Sequence, residues 1–353
     1  MNSVILTMLG ATTLVENKEY GAVGWDASPY LTFFYKQGMI LRQLANPATM
    51  PTEAVVSVEW SRIGNYCVVA TATNAYVYVA SGMTVTLLRT IPFWDILKWS
   101  RENVDPDDDN SNTVVGYEIA TDQVRYALRS YKSTKTFDIE LSVNMSSITP
   151  TFVDAAYLLD FYVSDGSMVG ASSTGDKLFI NELSGAVFSY VPGQIFDQPS
   201  DIPIALASSR DGEQFVVLTD GVIENVVLYY YESGYGQWAS GTRATVAGTP
   251  VSASFSDDGR YLGVVYDTSP YYAVIDLTVP SVTTGTTPLG GAPTGVQMSY
   301  DGVSLVTASS GSSPLRVQLR DSTGAYVTST AADFDFSQPN ATALSLKNNE
   351  FFT

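Results

Sequence analysis

A chain of 353 residues with 45% hydrophobic residues, 22 Tyr and 15 Phe can build a large β-rich core, which excludes intrinsic disorder. Asp and Glu number 36 against 18 Lys and Arg, a formal charge of −18 that repels phosphate-coated partners and speaks against nucleic acid as a ligand. With no His and one Cys, the sequence lacks Ser-His-Asp and Cys-His arrangements, His-ligated metals and any intrachain disulfide.

The N-terminal MNSVILTMLGATT carries a short apolar run with no basic residue ahead of it, unlike a secretory signal. No stretch reaches the ~18 apolar residues of a membrane helix, so a soluble protein without membrane insertion is expected. The next segment, TLVENKEYGAVGWDASPYLTFF, reads as strand, polar turn, strand. It recurs without a gap near SFSDDGRYLGVVYDTSPYYAVI, Ser254 to Ile275. The superposition pairs Tyr20 with Tyr261, Val23 with Val264, Asp26 with Asp267, and Ser28-Pro29-Tyr30 with Ser269-Pro270-Tyr271.

The residue that opens the first turn of each unit serves as a marker. Markers fall at Val15, Ser61, Ser100, Ser164, Ser209, Ser256, Ser299 and Ser337. Most intervals lie near the ~40–45 residues of a four-stranded propeller blade, and the longest contains an insertion. Third strands follow as YLTFFYKQG, YVYVASG, LFINELSG, VVLYYYESG, YAVIDL and RVQLRDSTG. Outer strands are expected at MILRQL, TVTLLRTI and AYVTSTA. The spacing predicts one all-β domain over residues 1–353, a β-propeller of four-stranded antiparallel blades with an acidic loop insertion near 104–113. The span from Ser337 round to Val15 is too short for a blade. The N-terminal strand Val4 to Leu9 and the last marker are therefore expected to close the ring within the first blade, giving seven blades, with eight as the alternative.

Candidate chemistry is sparse. The turn carboxylates Asp165, Asp211, Asp257, Asp258 and Asp301 recur at similar blade positions, where Asp accepts hydrogen bonds from turn N–H groups. The competing reading is a glycosidase, which needs two acids about 5–10 Å apart across a sugar. Asp105, Asp107 and Asp109 stand at alternate positions, like the opening of a calcium loop. Asn110 then replaces the turn Gly, and the twelfth position, Gly116, is not Glu. A solvated acidic loop is the favoured reading, no cofactor is expected, and Ca²⁺ is the one candidate cation. Ser233-Gly234-Tyr235-Gly236 lacks the Lys and helix of a phosphate loop. Alternation in LYYYESGYGQW sets Tyr229 and Tyr231 on one strand face and Tyr230 on the other, which favours packing between blades over a sugar-stacking platform. Cys67, in an apolar run, is expected to be buried and inert.

Through the Ser-x-Asp-Gly turns and the apolar strands after them, the sequence resembles the WD-repeat class of β-propellers, although closing Trp-Asp pairs and Gly-His dipeptides are absent. More narrowly, SPYLTFFYKQG and DDGRYLGVVYDTSPYYAV are similar to repeat units of propeller proteins of tailed bacteriophages. That resemblance implies a non-enzymatic structural or interaction component of the virion, made in the host cytoplasm. It would decorate capsid or tail or attach to the host surface, with other virion proteins and a host-surface glycan as partners. The rival readings are a glycan-binding or glycan-hydrolysing propeller and a cellular protein-interaction scaffold.

Overall fold

A computed structural model describes residues 19–37, 40–61, 66–92, 199–232, 237–279, 281–285, 291–311, 314–328 and 340–347, together with eight strands between residues 96 and 190. All regular structure among these residues is β-strand, and no helix is long and apolar enough to cross a membrane.

The strands form four-stranded antiparallel sheets. The first contains β1 (Glu19–Trp25), β2 (Leu31–Gln37) and β3 (Ile40–Gln43), and its inner strand comes from the far end of the chain, as set out below. The second is β4 (Val55–Trp60), β5 (Tyr66–Thr71), β6 (Asn74–Ser81) and β7 (Thr84–Pro92). Next come β8 (Ile96–Glu102), β9 (Asn112–Glu118), β10 (Gln123–Arg129) and β11 (Phe137–Asn144), then β12 (Phe152–Leu158), β13 (Ser167–Ser172), β14 (Leu178–Ser184) and β15 (Val187–Tyr190). They are followed by β16 (Pro203–Ser208), β17 (Gln214–Thr219), β18 (Val226–Glu232) and β19 (Gln237–Ala244). The later sheets are β20 (Pro250–Phe255), β21 (Tyr261–Tyr266), β22 (Tyr272–Asp276) and β23 (Ser281–Thr284), and β24 (Pro293–Met298), β25 (Ser304–Ser309), β26 (Leu315–Arg320) and β27 (Tyr326–Thr328). Finally, β28 (Ala341–Lys347) pairs antiparallel with β1, from Trp25 opposite Ala341 to Tyr20 opposite Lys347, and becomes the inner strand of the first sheet.

This is a multi-bladed β-propeller. Where their side chains are described, the second strands are apolar on both faces because the sheet is packed between two neighbours. In β21, Tyr261 and Val265 pack with Val296, Met298, Leu305 and Tyr326 of the next sheet. The alternate residues Leu262, Val264 and Tyr266 pack with Val216, Leu218 and Leu228 of the preceding one. That two-residue period is the pleat of the strand, and stacking sheets around an axis buries both faces while leaving only short outer edges.

The self-similarity read from the sequence is carried into the backbone. Trp25 N–H donates to the Tyr30 carbonyl at 2.8 Å and Tyr266 N–H to that of Tyr271 at 3.0 Å. Tyr30 and Tyr271 both adopt left-handed φ, at 61° and 77°. Third and outer strands fall where the pattern placed them, including β3, β7 and β27.

One marker needs correction, and others lie outside the described residues. Ser100 lies inside β8 at a register shift between Trp99 and Arg101, because the strand absorbs the extra residue as a bulge and runs on to Glu102. Val15, Ser164 and Ser337, the strand expected at Val4 to Leu9, and the acidic stretch 103–111 lie outside the described residues.

Candidate functional site

Three consecutive blades turn from inner to second strand through the same four-residue pattern, Ser-x-Asp-Gly. At Ser209, Ser256 and Ser299 the buried hydroxyl donates to the carboxylate two residues on, Asp211, Asp258 or Asp301, at 2.5, 2.5 and 2.8 Å. The same Oγ accepts the N–H of Gln214, Tyr261 or Ser304. The carboxylate accepts a further turn N–H from Glu213, Arg260 or Val303. Gly212, Gly259 and Gly302 close the turns at φ 73°, 68° and 68°, a region that costs other residues a clash with the Cβ. Asp211, Asp258 and Asp301 are thus turn caps, as the sequence suggested. Ser61 keeps the hydroxyl half of this arrangement, accepting Tyr66 N–H at 3.1 Å.

Asp257 behaves differently from its neighbour Asp258. It occupies the variable second position of the turn, and its side chain, 8% exposed, meets the Arg210 guanidinium at 2.5 Å. Arg210, 20% exposed, holds the equivalent position one blade earlier. Both line an axial channel of about 460 Å³ bounded by β4, β16, β20, β24 and β28. These inner strands succeed one another in contact from β16 to β20, β24, β28 and β4.

Glu59 of β4 also lines the channel. It stands two residues before Ser61, whereas Arg210 and Asp257 each follow their marker Ser by one. At ~3.3 Å per residue, Glu59 is therefore about 10 Å along the axis from the ion pair. Hydroxyls and amides make up much of the remaining polar wall. Ser254 Oγ accepts Met298 N–H at 3.1 Å, Ser345 Oγ accepts Trp60 N–H at 2.9 Å, and Thr342 Oγ1 donates to the Val55 carbonyl at 2.6 Å. Each of these bonds ties one inner strand to the next. The Trp60 indole N–H and the Thr294 hydroxyl, on residues that line the same channel, are buried without a hydrogen-bond partner among the described residues. Polar groups buried in this way cost stability unless something else satisfies them.

The remaining candidates resolve into packing or fall outside view. Tyr229 stacks on Phe215 with centroids 4.8 Å apart, and Tyr231 meets Trp238 edge-on at 5.5 Å, so this face of the aromatic cluster is core between blades. Tyr230, 38% exposed, points away and donates to Glu232. Cys67 is buried, and burial together with the nearby Glu59 carboxylate pushes its thiol pKa up, leaving it unreactive. Asp105, Asp107, Asp109, Asp165 and the Ser233 to Gly236 loop lie outside the described residues. Among the described residues no group of three or more His, Cys, Asp or Glu is arranged to hold a metal.

Sequence reasoning missed Arg210 and Glu59 and grouped Asp257 with the turn caps. A usable signal was present: superposing the repeats puts Arg210 and Asp257, of opposite charge, at the same position of adjacent blades.

No protein-family model matches the sequence, and no curated protein does. Among solved structures, the chain is similar to a candidate 6-phosphogluconolactonase of Bacteroides uniformis, with TM-score 0.69 and 13% identity over 94% of this chain and 99% of that one. It is also similar to the periplasmic gluconolactonase of Pseudomonas aeruginosa, with TM-score 0.65 and 15% identity over 94% and 99%. A Lactobacillus plantarum protein matches with TM-score 0.66 and 12% identity over 93% and 99%. At such identities the likeness is one of fold.

These findings correct the reading drawn from phage-like phrases. The similar structures named above are bacterial proteins, among them a candidate 6-phosphogluconolactonase and a gluconolactonase, and none of them is described as a propeller of a tailed phage. The virion component, its virion and host-glycan partners, its placement in the virion and the absence of enzymatic activity are therefore not retained. The physical reason lies in the motifs themselves. Ser-x-Asp-Gly and Ser-Pro-Tyr segments satisfy backbone groups at blade turns, so they report on blade geometry and carry no information about a partner. Lack of histidine excluded only His-based chemistry, and carboxylates that converge on an axis can still activate water.

Proposed function

We propose that this chain is a hydrolase that opens the ring of a sugar-derived lactone in its axial channel. We propose further that seven blades in one domain, closed by β28 beside β1, form that channel. The observation that carries the reading is the Arg210–Asp257 pair, largely buried in a polar channel whose volume, about 460 Å³, falls within the range of small-molecule sites. The lactone hydrolases among the fold neighbours supply the reaction class, and the absence of histidine directs the chemistry to carboxylates.

In this reading Asp257 takes a proton from a water as the water oxygen bonds to the lactone carbonyl carbon. The displaced π electrons collect on the carbonyl oxygen, where the Arg210 guanidinium offsets the developing charge. When the tetrahedral intermediate collapses, the bond to the ring oxygen breaks, and that oxygen recovers the proton from Asp257. The product is an open-chain hydroxy acid. Arg210 also keeps Asp257 fixed against the wall, so the base needs no reorientation between steps.

The test is the rate of acid release from glucono-δ-lactone above its spontaneous hydrolysis. Asp257→Asn is expected to lower kcat by about a hundredfold or more, and also to lower the melting temperature because the largely buried Arg210 guanidinium loses its charged Asp257 partner, so rates are compared below the melting range of both proteins. Wild-type protein no faster than buffer, or an Asp257→Asn variant as fast as wild type, would overturn the reading.

A further inference from the structure

We infer that the Phe255 backbone N–H, left open on the channel wall by Ala207, donates to the carbonyl oxygen of the ligand, so that the channel recognises a cyclic ester by its carbonyl. The inference rests on the sugar-lactone reading above and adds a second group, beside Arg210, that binds the reacting oxygen.

The argument starts from how the inner strands are joined. Each is the edge of its sheet, so alternate N–H groups point away from the second strand and towards the axis. Ser61, Ser256 and Ser299 donate their N–H groups to the carbonyls of Tyr66, Tyr261 and Ser304 within the blade. The residue before each serine, Trp60, Phe255 or Met298, therefore has its N–H on the open edge. A side chain of the preceding blade can meet that N–H. Ser254 Oγ accepts Met298 N–H at 3.1 Å, and Ser345 Oγ accepts Trp60 N–H at 2.9 Å. Between β24 and β28 the equivalent residue is Gln297, whose Nε2 donates to the Leu344 carbonyl at 3.5 Å. Between β16 and β20 it is Ala207, two residues before Ser209 just as Ser254 is two before Ser256. Ala207 packs against the cluster that holds Phe255 and has no polar side-chain atom to offer. Phe255 N–H accordingly has no partner among the described residues.

Ala207 and Phe255 both line the channel, and the junction they leave untied is the one that the Arg210–Asp257 pair crosses. A backbone N–H without an acceptor selects a ligand that brings an oxygen lone pair. Phe255 precedes Asp257 by two residues, about 7 Å along the strand at ~3.3 Å per residue. A carbonyl oxygen ~2.9 Å from the N–H leaves room for one water between its carbon and the Asp257 carboxylate. In the hydrolysis set out above this N–H transfers no proton. It donates a hydrogen bond to the oxygen on which the π electrons collect, and its place in a strand spares it any reorganisation as the charge develops.

The repeat itself supplies the test, because Ala207→Ser installs the hydroxyl that Ser254 and Ser345 carry at neighbouring junctions. Calorimetric titration uses two rings that resist hydrolysis: D-glucono-δ-lactam, which keeps the carbonyl, and 1,5-anhydroglucitol, which lacks it. Wild type is expected to bind the lactam about tenfold more tightly, and Ala207→Ser to erase that preference with a melting temperature no lower than that of wild type. On glucono-δ-lactone the variant is expected to lose about a hundredfold in kcat. In wild type isotope-labelled at its phenylalanine amides, the Phe255 amide resonance is expected to shift with the lactam and not with 1,5-anhydroglucitol. That measurement decides the matter should the variant fail to fold. Equal binding of the two rings by wild type, a lactam preference that survives Ala207→Ser, or a Phe255 amide that does not respond to the lactam would each overturn the inference. A lactam preference lost in Ala207→Ser, with wild type no faster than buffer on the lactone, would sink the hydrolase reading and leave the carbonyl subsite standing. Lactone turnover unchanged by Ala207→Ser would do the reverse.

Discussion

The turns at Ser256 and Ser299 are built alike and used differently. Both have a buried serine hydroxyl shared between a carboxylate and a backbone N–H, and both close on a glycine at φ 68°. Only the second residue departs: Asp257 is drawn into the channel against Arg210, whereas Tyr300 is 50% exposed. The repeat therefore separates two tasks by position. Serine, aspartate and glycine hold the blade, and the residue between serine and aspartate is left for whatever the axis requires.

Replacing the two glycines should break the likeness most sharply. At Gly302 an added Cβ would sit 2.2 Å from Tyr261 Cδ2, while at Gly259 the nearest atom is Gln214 Nε2 at 3.6 Å. Gly259→Ala meets backbone strain alone and is expected to cost about 1–2 kcal/mol. Gly302→Ala adds overpacking against a buried ring, for a total of about 2–5 kcal/mol. Equal losses in denaturant melts would mean that the Tyr261 ring yields freely.

Ser256→Ala should come next. It leaves the buried Tyr261 N–H without its side-chain acceptor and should destabilise by about 1–3 kcal/mol, while Tyr300→Ala should stay within about 0.5 kcal/mol. Thermal melts of the pair would sharpen the division between framework and variable positions. A costly Tyr300→Ala would erase it.

A smaller effect concerns the outer part of the Ser256 blade. The hydrogen bond from Arg260 at 2.9 Å, helped by Thr278, holds the Asp276 carboxyl down from its ordinary 3.8 to about 2. A carboxyl depressed on folding adds stability above its unfolded pKa, and that increment is lost as pH falls through the folded value. The stability difference between wild type and Asp276→Asn should therefore be constant at neutral pH and shrink between about 3.8 and 2. A difference that does not change across that window would show that Asp276 titrates normally.

The smallest effect is expected at the acidic stretch. If Asp105, Asp107 and Asp109 are solvated, Ca²⁺ should leave the melting temperature where Na⁺ of equal ionic strength leaves it. A Ca²⁺-specific rise that disappears in Asp107→Asn would make this stretch a binding site.

Much of the blade was legible because its rules are local. Alternation in YLGVVY marks a strand buried on both faces, Ser-x-Asp-Gly marks its entry turn, and the match of Ser28-Pro29-Tyr30 to Ser269-Pro270-Tyr271 identified two turns that share one backbone geometry. Ser100 misled for an equally local reason, since a bulge and a turn both accommodate a small polar residue between apolar runs. The site was far less legible. Asp257 and Asp258 are adjacent and chemically identical; the Ser-x-Asp-Gly spacing marks Asp258 as the cap, but only comparison between repeats, and nothing local, hints that Asp257 faces an axis.

What the sequence determined by itself was therefore the repeating unit: strand, capped turn, strand, with periods and hydrogen-bond needs written over a few residues at a time. Tertiary structure alone decided which of these units became neighbours. It set Arg210 against Asp257 across 47 residues and brought Lys347 beside Tyr20 as the innermost strand of the first sheet. The reason is geometric. Local preferences fix the direction of each side chain relative to its own strand, but only the stacking of sheets about a common axis fixes which charges, hydroxyls and strand edges converge there.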